Sequence, residues 1–281
     1  MTYRAAVLGH PISHSLSPVL HQAAYDALGI DWLYGRCDVI EEDLSGFIEA
    51  LDRSWRGLSL TMPLKQRVIP LLDHVDPLAA VTGAVNTVLI QPVGAARALT
   101  GTNTDVHGIV HAIREARTAE VRTAVILGAG ATASSALAAV AQLGCATPTV
   151  AVRSLARTAD LRAAAHRMGV EPVFVTLTSA FEAICAADVV VSTLPPFAAD
   201  GLAAQLSTDD VVGRLSGTLL DVAYDPQPTA LIAAWAHRAG VTVTGERMLL
   251  HQAGEQVRLM TGLPAPLDAM DVALRRALER H

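Results

Sequence analysis

The feature that most constrains the fold is the segment Thr123–Ser154, in which two short apolar runs flank a glycine turn and a helix-forming stretch. This order predicts strand, tight turn, helix and strand, the unit from which parallel α/β sheets are built. The turn is Gly128-Ala129-Gly130. Gly128 allows the sharp bend, and the missing side chain at Gly130 lets a pyrophosphate approach the N–H groups of the helix start. Ala131 follows without the usual third glycine, so the alternative is a glycine turn in an ordinary α/β unit.

The residues after the second predicted strand indicate which dinucleotide binds. NAD sites usually place a carboxylate here, which hydrogen-bonds the ribose 2′-hydroxyl. This chain instead has Arg153, Ser154 and Arg157. Two guanidinium groups and a hydroxyl suit a 2′-phosphate, which a carboxylate would repel. The sequence therefore predicts NADP as the cofactor; the alternative is two solvated arginines at the start of a helix.

Composition and charge exclude several classes of function. The 281 residues are 51% hydrophobic and 17% charged, as in a core-rich globular protein with room for two modest domains. The net charge of −6 gives no electrostatic case for binding nucleic acid or an anionic membrane. The three cysteines form no CxxC pair, which favours a reducing compartment. The chain starts without a signal-peptide pattern and has no apolar run of membrane-spanning length, so we expect a cytoplasmic protein.

Strand and helix patterns alternate along the chain and predict an α/β fold with two domains. An N-terminal α/β block precedes the region of the glycine turn, and helices without strands of their own follow it. The simplest packing returns those helices to the first block. We therefore predict a substrate-binding, catalytic domain of residues 1–105 plus 247–281, a nucleotide-binding domain of residues 106–246, and a cleft between them.

Polar residues follow predicted strand ends in the N-terminal block, where the sites of α/β proteins gather. Ser15 and Ser17 follow the first strand and suit the rim of a site for a polar small molecule. The alternative for Ser17 is that its hydroxyl caps the helix that Pro18 enters. Lys65 comes just past a later strand, where an amine can transfer a proton, although most such lysines are solvated. Asp105 precedes a predicted helix and could serve only as its N-cap.

Three histidine-containing clusters resemble metal sites, but none has the ligand spacing that a metal requires. They are His14 with His21, the segment Asp73–Asp76, and His107 with His111, which are four residues apart on one helix. A solvated turn explains the segment, and surface packing explains the helical pair. We predict that the protein binds no metal.

Seven sequence blocks, in this order along the chain, resemble the shikimate dehydrogenase family over essentially its whole length. They are GHPISHSLSP (9–18), SLTMPLK (59–65), GAVNT (83–87), GTNTD (101–105), GAGATA (128–133), DVAYDP (221–226) and GERMLLHQA (245–253). The resemblance implies a substrate domain completed by the C-terminal helices and a Rossmann-type NADP domain. It implies an oxidoreductase of aromatic amino acid and chorismate biosynthesis that reversibly reduces 3-dehydroshikimate to shikimate with NADPH. The resemblance does not decide whether the protein forms a homodimer.

The resemblance also implies a role for each matching residue. Lys65 and Asp105 correspond to the family's catalytic pair. The substrate-binding positions are Ser15, Ser17, Thr61, Asn86, Tyr224 and Gln252. The cofactor-binding positions are Gly128, Gly130, Ala131, Arg153, Ser154, Arg157, Thr193 and Gly245.

Two departures from the family pattern and two rival functions remain. Ser59 and Val152 stand where the family often has asparagine; the first change bears on contacts from position 59, and the second removes one polar contact with the nucleotide. The closest rival is a quinate/shikimate or aminoshikimate dehydrogenase, with either NADP or NAD as its cofactor, and the arginines near position 153 argue against NAD. The second rival is a non-catalytic NADP-binding sensor, and the presence of both Lys65 and Asp105 argues against it.

Overall fold

The structure is a computed structural model that describes residues 2–94, 96–208, 213–225 and 227–280. Pro226, the last residue of the DVAYDP block, lies outside these ranges. The chain divides into two compact units, Met1–Thr104 with Leu249–His281, and Asp105–Met248. In the described residues each unit is built on a six-stranded sheet, so the expected α/β class is confirmed. The functional division into residues 1–105 plus 247–281 and residues 106–246 stays a prediction.

The first unit is built on a mixed sheet with the strand order β2-β1-β3-β5-β6-β4. Its elements are β1 Tyr3–Gly9, α1 Ser17–Leu28, β2 Trp32–Asp38, α2 Leu44–Glu49, β3 Trp55–Leu60, α3 Leu64–Arg67, a 3₁₀ turn at Ile69–Leu71, β4 His74–Val75, α4 Pro77–Thr82, β5 Thr87–Val93 and β6 Ala96–Thr102. β1 is parallel to β2 and β3, whereas β5 is antiparallel to β3 and β6. The carboxyl ends of β1, β3 and β6 and the amino end of β5 therefore lie at one edge of this sheet.

The second unit is built on an all-parallel sheet with the order β12-β11-β10-β7-β8-β9. Its elements are α5 Asp105–Ala116, β7 Ala124–Leu127, α6 Ala131–Gln142, β8 Thr149–Val152, a 3₁₀ turn at Leu155–Arg157, α7 Ala159–Met168, β9 Val173–Thr176, a 3₁₀ turn at Leu177–Ser179, α8 Phe181–Ala186, β10 Val189–Ser192, α9 Asp200–Ser207, β11 Thr218–Asp221, α10 Ala230–His237, β12 Val241–Thr244 and the start of α11 Gly245–Thr261. The residues of α11 from Leu249 onward belong to the first unit. β7 lies between β8 and β10, so the strand order reverses there. This reversal is the switch point at which parallel α/β sheets bind ligands.

The C-terminal helices complete the first unit, as the sequence predicts. The last helix, α12 Leu267–Leu278, packs on α1. α12 buries Met270, Leu274 and Ala277, which recur at helical spacing on one face, while Arg275 and Arg276 lie in its last turn. Burying each large apolar side chain contributes roughly 1.5–3 kcal/mol, so this helix has a clear reason to stay on the unit.

The core of the second unit contains a fully buried tryptophan. Trp235 on α10 is completely buried, and its Nε1–H donates to the Gly217 carbonyl oxygen at 3.1 Å. A Cβ at Gly240 would lie 2.3 Å from Trp235 Nε1, so the ring requires a glycine beside it. At the other end of the unit, Arg247 holds the start of α11 to α5 through a double hydrogen bond to Glu115, at 2.7 and 2.8 Å. These contacts tie α10 and the start of α11 to neighbouring parts of the second unit.

Two features of the first unit do not follow from the sequence patterns. The segment Asp73–Asp76, interpreted as a turn, contains β4, which pairs with β6. The Asp76 side chain then accepts a hydrogen bond from the Ala79 N–H at 2.8 Å and caps α4.

Among the described helices, none is long and apolar enough to span a lipid bilayer.

Candidate active site

One edge of the mixed sheet brings together residues from three of the sequence blocks. The Leu60 N–H donates to the Asn86 carbonyl oxygen at 2.7 Å, and the Thr61 N–H donates to the Leu8 carbonyl oxygen at 2.9 Å. Thr61 and Asn86 therefore lie on neighbouring strand ends. A Cβ at Gly9 would lie 2.3 Å from Thr61 Cγ2, so the segment after β1 passes directly against Thr61. The glycine that opens the GHPISHSLSP block is required by this close approach.

The two predicted substrate-binding serines lie in that segment, and the capping interpretation of Ser17 is wrong. α1 begins at Ser17 with Leu16 as its N-cap, and no side chain caps it. The Ser15 hydroxyl instead accepts the Ser17 N–H at 3.3 Å. Arg36 fixes the segment from β2, since its Nε and Nη2 donate to the Ser15 carbonyl oxygen at 2.9 and 2.7 Å. The segment is thus held at the sheet edge by a guanidinium group.

Lys65 lies in α3, half-buried, just past the end of β3. The Val85 N–H donates to the Lys65 carbonyl oxygen at 2.9 Å, which joins Lys65 to the segment that leads into Asn86. The chain holds 21 lysine and arginine residues, and Lys65 is the sole lysine. Arginine cannot lose its proton in a protein, whereas lysine can. Lys65 is therefore the one Lys or Arg position in the chain with a side chain that can exchange a proton. This scarcity of lysine is a second sequence signal for Lys65, independent of the motif around it.

The amide side chains of Asn86 and Gln252 meet in this unit although 166 residues separate them. The Asn86 Nδ2 donates to Thr104 Oγ1 at 3.0 Å and to Gln252 Oε1 at 3.4 Å, and the Thr104 N–H donates to Asn86 Oδ1 at 2.8 Å. All three side chains are buried. Thr104 of the GTNTD block, which is not among the predicted site residues, is thus part of the polar cluster.

One predicted catalytic residue and one predicted substrate-binding residue belong to the second unit. Asp105 is the first residue of α5 and is almost fully buried, at an end of the helix whose dipole stabilises a carboxylate. Tyr224 follows β11, and burial, with the charge of Asp225 adding to it, raises the pKa of its phenol. The approach of Asp105 to Lys65, and of Tyr224 to the predicted substrate, stays a prediction.

The two glycines in the turn of the second unit lack a side chain for different physical reasons. Gly128 has a φ of +112°, and a Cβ there would lie 2.5 Å from Thr193 Oγ1, so the protein itself excludes a side chain. Thr193 in turn donates to the Leu127 carbonyl oxygen at 2.8 Å. Gly130, the N-cap of α6, has ordinary backbone angles and nothing within 4 Å of a Cβ. The space beside Gly130, with Ala131 opening the helix, fits a pyrophosphate at a helix start.

A cavity of about 480 Å³ opens at the carboxyl ends of β8, β9 and β10. Leu177, Leu194 and Leu202 form an apolar part of its lining, and Arg153 lies on it. Ser154 and Arg157 follow Arg153 and are exposed. An apolar wall suits an adenine ring, and nearby guanidinium groups suit a phosphate, so the residues present fit NADP. Val152, the departure from the family pattern, is also in the lining.

Close packing explains why position 245 is a glycine. A Cβ there would lie 2.4 Å from the Val222 carbonyl oxygen, so the start of α11 packs directly on the segment after β11. The predicted contact between Gly245 and the cofactor stays a prediction.

The histidine-containing clusters have other structural roles. His21 is fully buried and bonds Gln256 at 3.1 Å, and the rings of His107 and His111 stack at 4.0 Å. Within the ranges that the structure describes, no three His, Cys, Asp or Glu residues form a group that could hold a metal ion.

Three segments of the chain match known family profiles. Residues 7–88 match the shikimate dehydrogenase substrate binding domain, residues 111–196 match shikimate / quinate 5-dehydrogenase, and residues 245–275 match the shikimate 5'-dehydrogenase C-terminal domain. With a polar site at the edge of the first sheet and a nucleotide site in the second unit, the protein is of the NADP-dependent dehydrogenase class.

Comparison with individual proteins narrows this class. The chain is 36% identical to the shikimate dehydrogenase (NADP(+)) of Rubrobacter xylanophilus, with 99% of this chain and 95% of that protein covered. It resembles the crystal structure of Mycobacterium tuberculosis shikimate dehydrogenase, with a TM-score of 0.86, 38% identity and coverage of 98% and 99%. It also resembles the quinate dehydrogenase from Corynebacterium glutamicum in complex with NAD, with a TM-score of 0.83, 30% identity and coverage of 98% and 99%. The chain belongs to the shikimate dehydrogenase family.

Proposed function

We propose that the chain catalyses the reversible reduction of 3-dehydroshikimate to shikimate with NADPH. The observation that carries this proposal is the polar cluster at the edge of the mixed sheet. There a sole lysine is joined through its backbone to the segment leading into Asn86, and Asn86 bonds Gln252. A lysine whose backbone is joined to a segment with buried amides suits a substrate that combines a reacting carbonyl with several hydroxyl groups.

Ser15 and Ser17 are proposed to bind the carboxylate of the substrate. Their hydroxyls are short donors on a segment that Arg36 holds in place, and this guanidinium also adds positive potential near an anion. Tyr224 is proposed to lie near the same carboxylate. Thr61, Asn86 and Gln252 are proposed to bind the ring hydroxyls, for which buried and pre-positioned donors are well suited.

Lys65 is proposed as the acid–base group. NADPH, when bound, supplies the hydride that reduces the C3 carbonyl. The carbonyl oxygen then gains negative charge, and the Lys65 ammonium stabilises it and gives it a proton. In the reverse direction the Lys65 amine takes the proton of the C3 hydroxyl. Asp105 is proposed to orient the ammonium and the substrate hydroxyl.

The cofactor preference is proposed to come from the second unit. The turn at Gly128, Gly130 and Ala131 would receive the pyrophosphate, with Thr193 and Gly245 flanking it. Arg153, Ser154 and Arg157 would receive the 2′-phosphate, because two guanidinium groups and a hydroxyl complement its charge. NAD lacks this phosphate and gains nothing from these residues.

Turnover with paired substrates and cofactors tests the proposal. We expect NADPH to form from shikimate and NADP, with a kcat/KM well above those for quinate and for NAD. Faster turnover of quinate with NAD would establish the rival activity, which the likeness to the quinate dehydrogenase supports. Binding of NADP without turnover of either substrate would establish the sensor.

We further propose that the protein works in the cytoplasm, within chorismate and aromatic amino acid biosynthesis. The three cysteines Cys37, Cys145 and Cys185 are free thiols in the structure, a state that a reducing compartment preserves. A homodimer stays a prediction, which light scattering of the purified protein would decide.

A further inference from the structure

Behind Asn86 a buried chain of hydrogen bonds runs from β2 through α11 to the polar cluster. The Tyr34 hydroxyl donates to Ser59 Oγ at 2.6 Å, and Ser59 Oγ donates to Gln256 Oε1 at 2.8 Å. Gln256 Nε2 donates to Thr87 Oγ1 at 2.9 Å, and Thr87 Oγ1 donates to Asn86 Oδ1 at 2.8 Å. All five side chains are buried, so water does not compete for these bonds.

His21 adds a second donor to the side-chain oxygen of Gln256, beside the Ser59 hydroxyl. Its Nε2 lies 3.1 Å from Gln256 Oε1, and its Nδ1 lies 3.4 Å from the Tyr25 hydroxyl. The ring is fully buried and stacks on Tyr34 at 3.9 Å, and burial lowers its pKa to about 3, so it is neutral. A neutral ring has one N–H, and the amide oxygen of Gln256 can only accept it. Gln256 therefore directs its own N–H groups towards Thr87.

Neighbouring hydrogen-bond donors also fix the orientation of the side-chain amide of Asn86. Its oxygen accepts from Thr87 Oγ1 and from the Thr104 N–H, each at 2.8 Å, with Thr104 Oγ1 at 3.2 Å. A carboxamide oxygen has two lone pairs, and these donors occupy them. A reversed amide would place its NH₂ group against the Thr104 N–H. The Asn86 NH₂ group consequently donates to Thr104 Oγ1 at 3.0 Å and to Gln252 Oε1 at 3.4 Å, and Gln252 is itself a predicted substrate-binding residue.

We propose that the hydrogen-bond chain through Gln256 and Thr87 positions Asn86 as a donor, so that a substrate oxygen takes the place of Gln252 Oε1 as acceptor of the longer, 3.4 Å bond. Gln256 and Thr87 are positioning residues, since they act through Asn86. Ser59 also belongs to this hydrogen-bond chain. Its hydroxyl oxygen bridges Tyr34, from which it accepts, and Gln256, to which it donates. The inference rests on the proposed function for the identity of the substrate.

The kinetic test uses two substitutions at Thr87. Thr87→Val keeps the shape and the β-branch but removes the donor to Asn86, whereas Thr87→Ser keeps the hydroxyl. We expect Thr87→Val to raise the KM for shikimate about tenfold, the scale of one buried hydrogen bond, with the KM for NADP within about twofold of wild type. Thr87→Ser should restore most of the loss. Equal constants for Thr87→Val and wild type, or no rescue by serine, would overturn the proposal.

A matched control comes from Thr82 in the same unit. Its buried hydroxyl donates to the Leu78 carbonyl oxygen at 2.9 Å and accepts from Asn103 Nδ2 at 3.0 Å. Thr82→Val thus removes a comparable buried hydroxyl that does not bond Asn86. We expect a similar loss of melting temperature in the two valine variants but a change in the KM for shikimate only in Thr87→Val. A parallel rise in KM in both would assign the effect to general destabilisation.

A second measurement needs no substrate. In ¹⁵N NMR spectra of the ligand-free protein, the side-chain amide signals of Asn86 and Gln256 should shift in Thr87→Val and stay in place in Thr82→Val. Unmoved signals would overturn the positioning role even if the enzyme is active. Absence of shikimate turnover by the wild type, with the expected NMR shifts, would instead overturn the proposed function and leave the orientation of the amide established.

Discussion

The predicted ligand-binding edges of the two units are built from different parts of the chain, side chains in one and backbone in the other. In the first unit the edge consists of buried side chains that are already hydrogen-bonded: Asn86 bonds Gln252 directly and is linked to Gln256 through Thr87. In the second unit it consists of a backbone turn at Gly128 and Gly130, followed by exposed arginines. With the proposed site residues, substrate selection would depend on a pre-organised interior, whereas cofactor selection would depend on backbone shape and surface charge.

This difference has an energetic consequence. Removing one partner from a buried network leaves a polar group without a bond and costs about 1–3 kcal/mol of stability. Replacing an exposed arginine usually changes stability by less than about 0.5 kcal/mol. Substitutions in the first unit should therefore alter shikimate constants and stability together, and arginine substitutions in the second should alter cofactor constants alone.

The largest expected effect is at Lys65. Lys65→Ala should lower kcat by about 10²–10⁴, the usual contribution of a positioned acid–base group, while the KM for NADP stays near wild type. Lys65→Arg keeps the charge but cannot exchange a proton, and it should be nearly as slow. Steady-state kinetics of both variants are the measurement.

A neighbouring substitution controls for damage to α3. Arg67 lies in the same helix, is largely exposed and pairs with Glu41 at 2.6 Å. Arg67→Gln should keep a kcat close to wild type. A near-normal kcat in Lys65→Arg would show that the charge alone suffices, and Lys65 would lose its proton-transfer role.

The next effect is on cofactor preference. The double variant Arg153→Gln/Arg157→Gln should lower kcat/KM for NADP by about 10- to 100-fold, since charge-assisted bonds contribute about 1.5–3 kcal/mol. The value for NAD should stay unchanged, as should the melting temperature. Arg122→Gln, at an exposed arginine paired only loosely with Glu120, is the control. A proportional loss with both cofactors would contradict the predicted 2′-phosphate site.

The two glycines of the turn separate ligand binding from folding. Gly130→Ala adds a methyl group where the protein leaves open space, so it should keep the melting temperature yet raise the KM for NADP about tenfold by obstructing the pyrophosphate. Gly128→Ala forces alanine into a φ of +112° against Thr193 and should cost about 1–3 kcal/mol of stability as well. Unchanged NADP binding in Gly130→Ala would show that the open space is not used.

The last expected effect concerns stability alone and is the pH dependence that His21 adds to it. Its pKa is about 3 in the folded protein and 6.5 in the unfolded chain, so below pH 6.5 the unfolded chain takes up a proton that the folded state refuses. The stabilisation is therefore complete above pH 6.5 and is lost towards pH 3, by roughly 1.4 kcal/mol per pH unit.

Urea unfolding at pH 7 and pH 5 measures this contribution. The fall in the free energy of unfolding between the two values should be smaller in His21→Gln than in wild type. His14→Gln, at an exposed histidine, should behave as wild type. Burial also raises the pKa of Asp221, which acts in the opposite direction but equally in all three proteins. An identical pH dependence in His21→Gln would show that the ring is accessible to protons.

The nucleotide unit was predictable because its signals are local. The turn at Gly128 and the helix after it lie within a few residues of each other, and steric rules for glycine apply without knowledge of the rest of the chain. The approach of Gln256 to His21 joins residues 235 positions apart, and no sequence period encodes it. The motif reading likewise selected Gln252 and passed over Gln256, which lies one helical turn later on α11.

Ser17 shows how a sound local rule can fail. Serine followed by proline is a strong helix start, yet the hydroxyl that accepts the first N–H belongs to Ser15, because the preceding segment is pressed against Thr61 and held by Arg36. Tertiary contacts, rather than capping preference, decide which serine takes which role. The sole lysine at position 65 is the reverse case, a signal that counting residue types would have revealed.

The buried indole of Trp235 makes the two units separately observable. The chain has three tryptophans, and Trp32 and Trp55 belong to the first unit, so Trp235 alone reports on the second. Its fluorescence should redshift and lose intensity when the bond to Gly217 breaks and water reaches the ring. With Trp235→Phe as the complementary probe, denaturation curves at two emission wavelengths would reveal whether the halves of this enzyme melt as one cooperative body or one after the other.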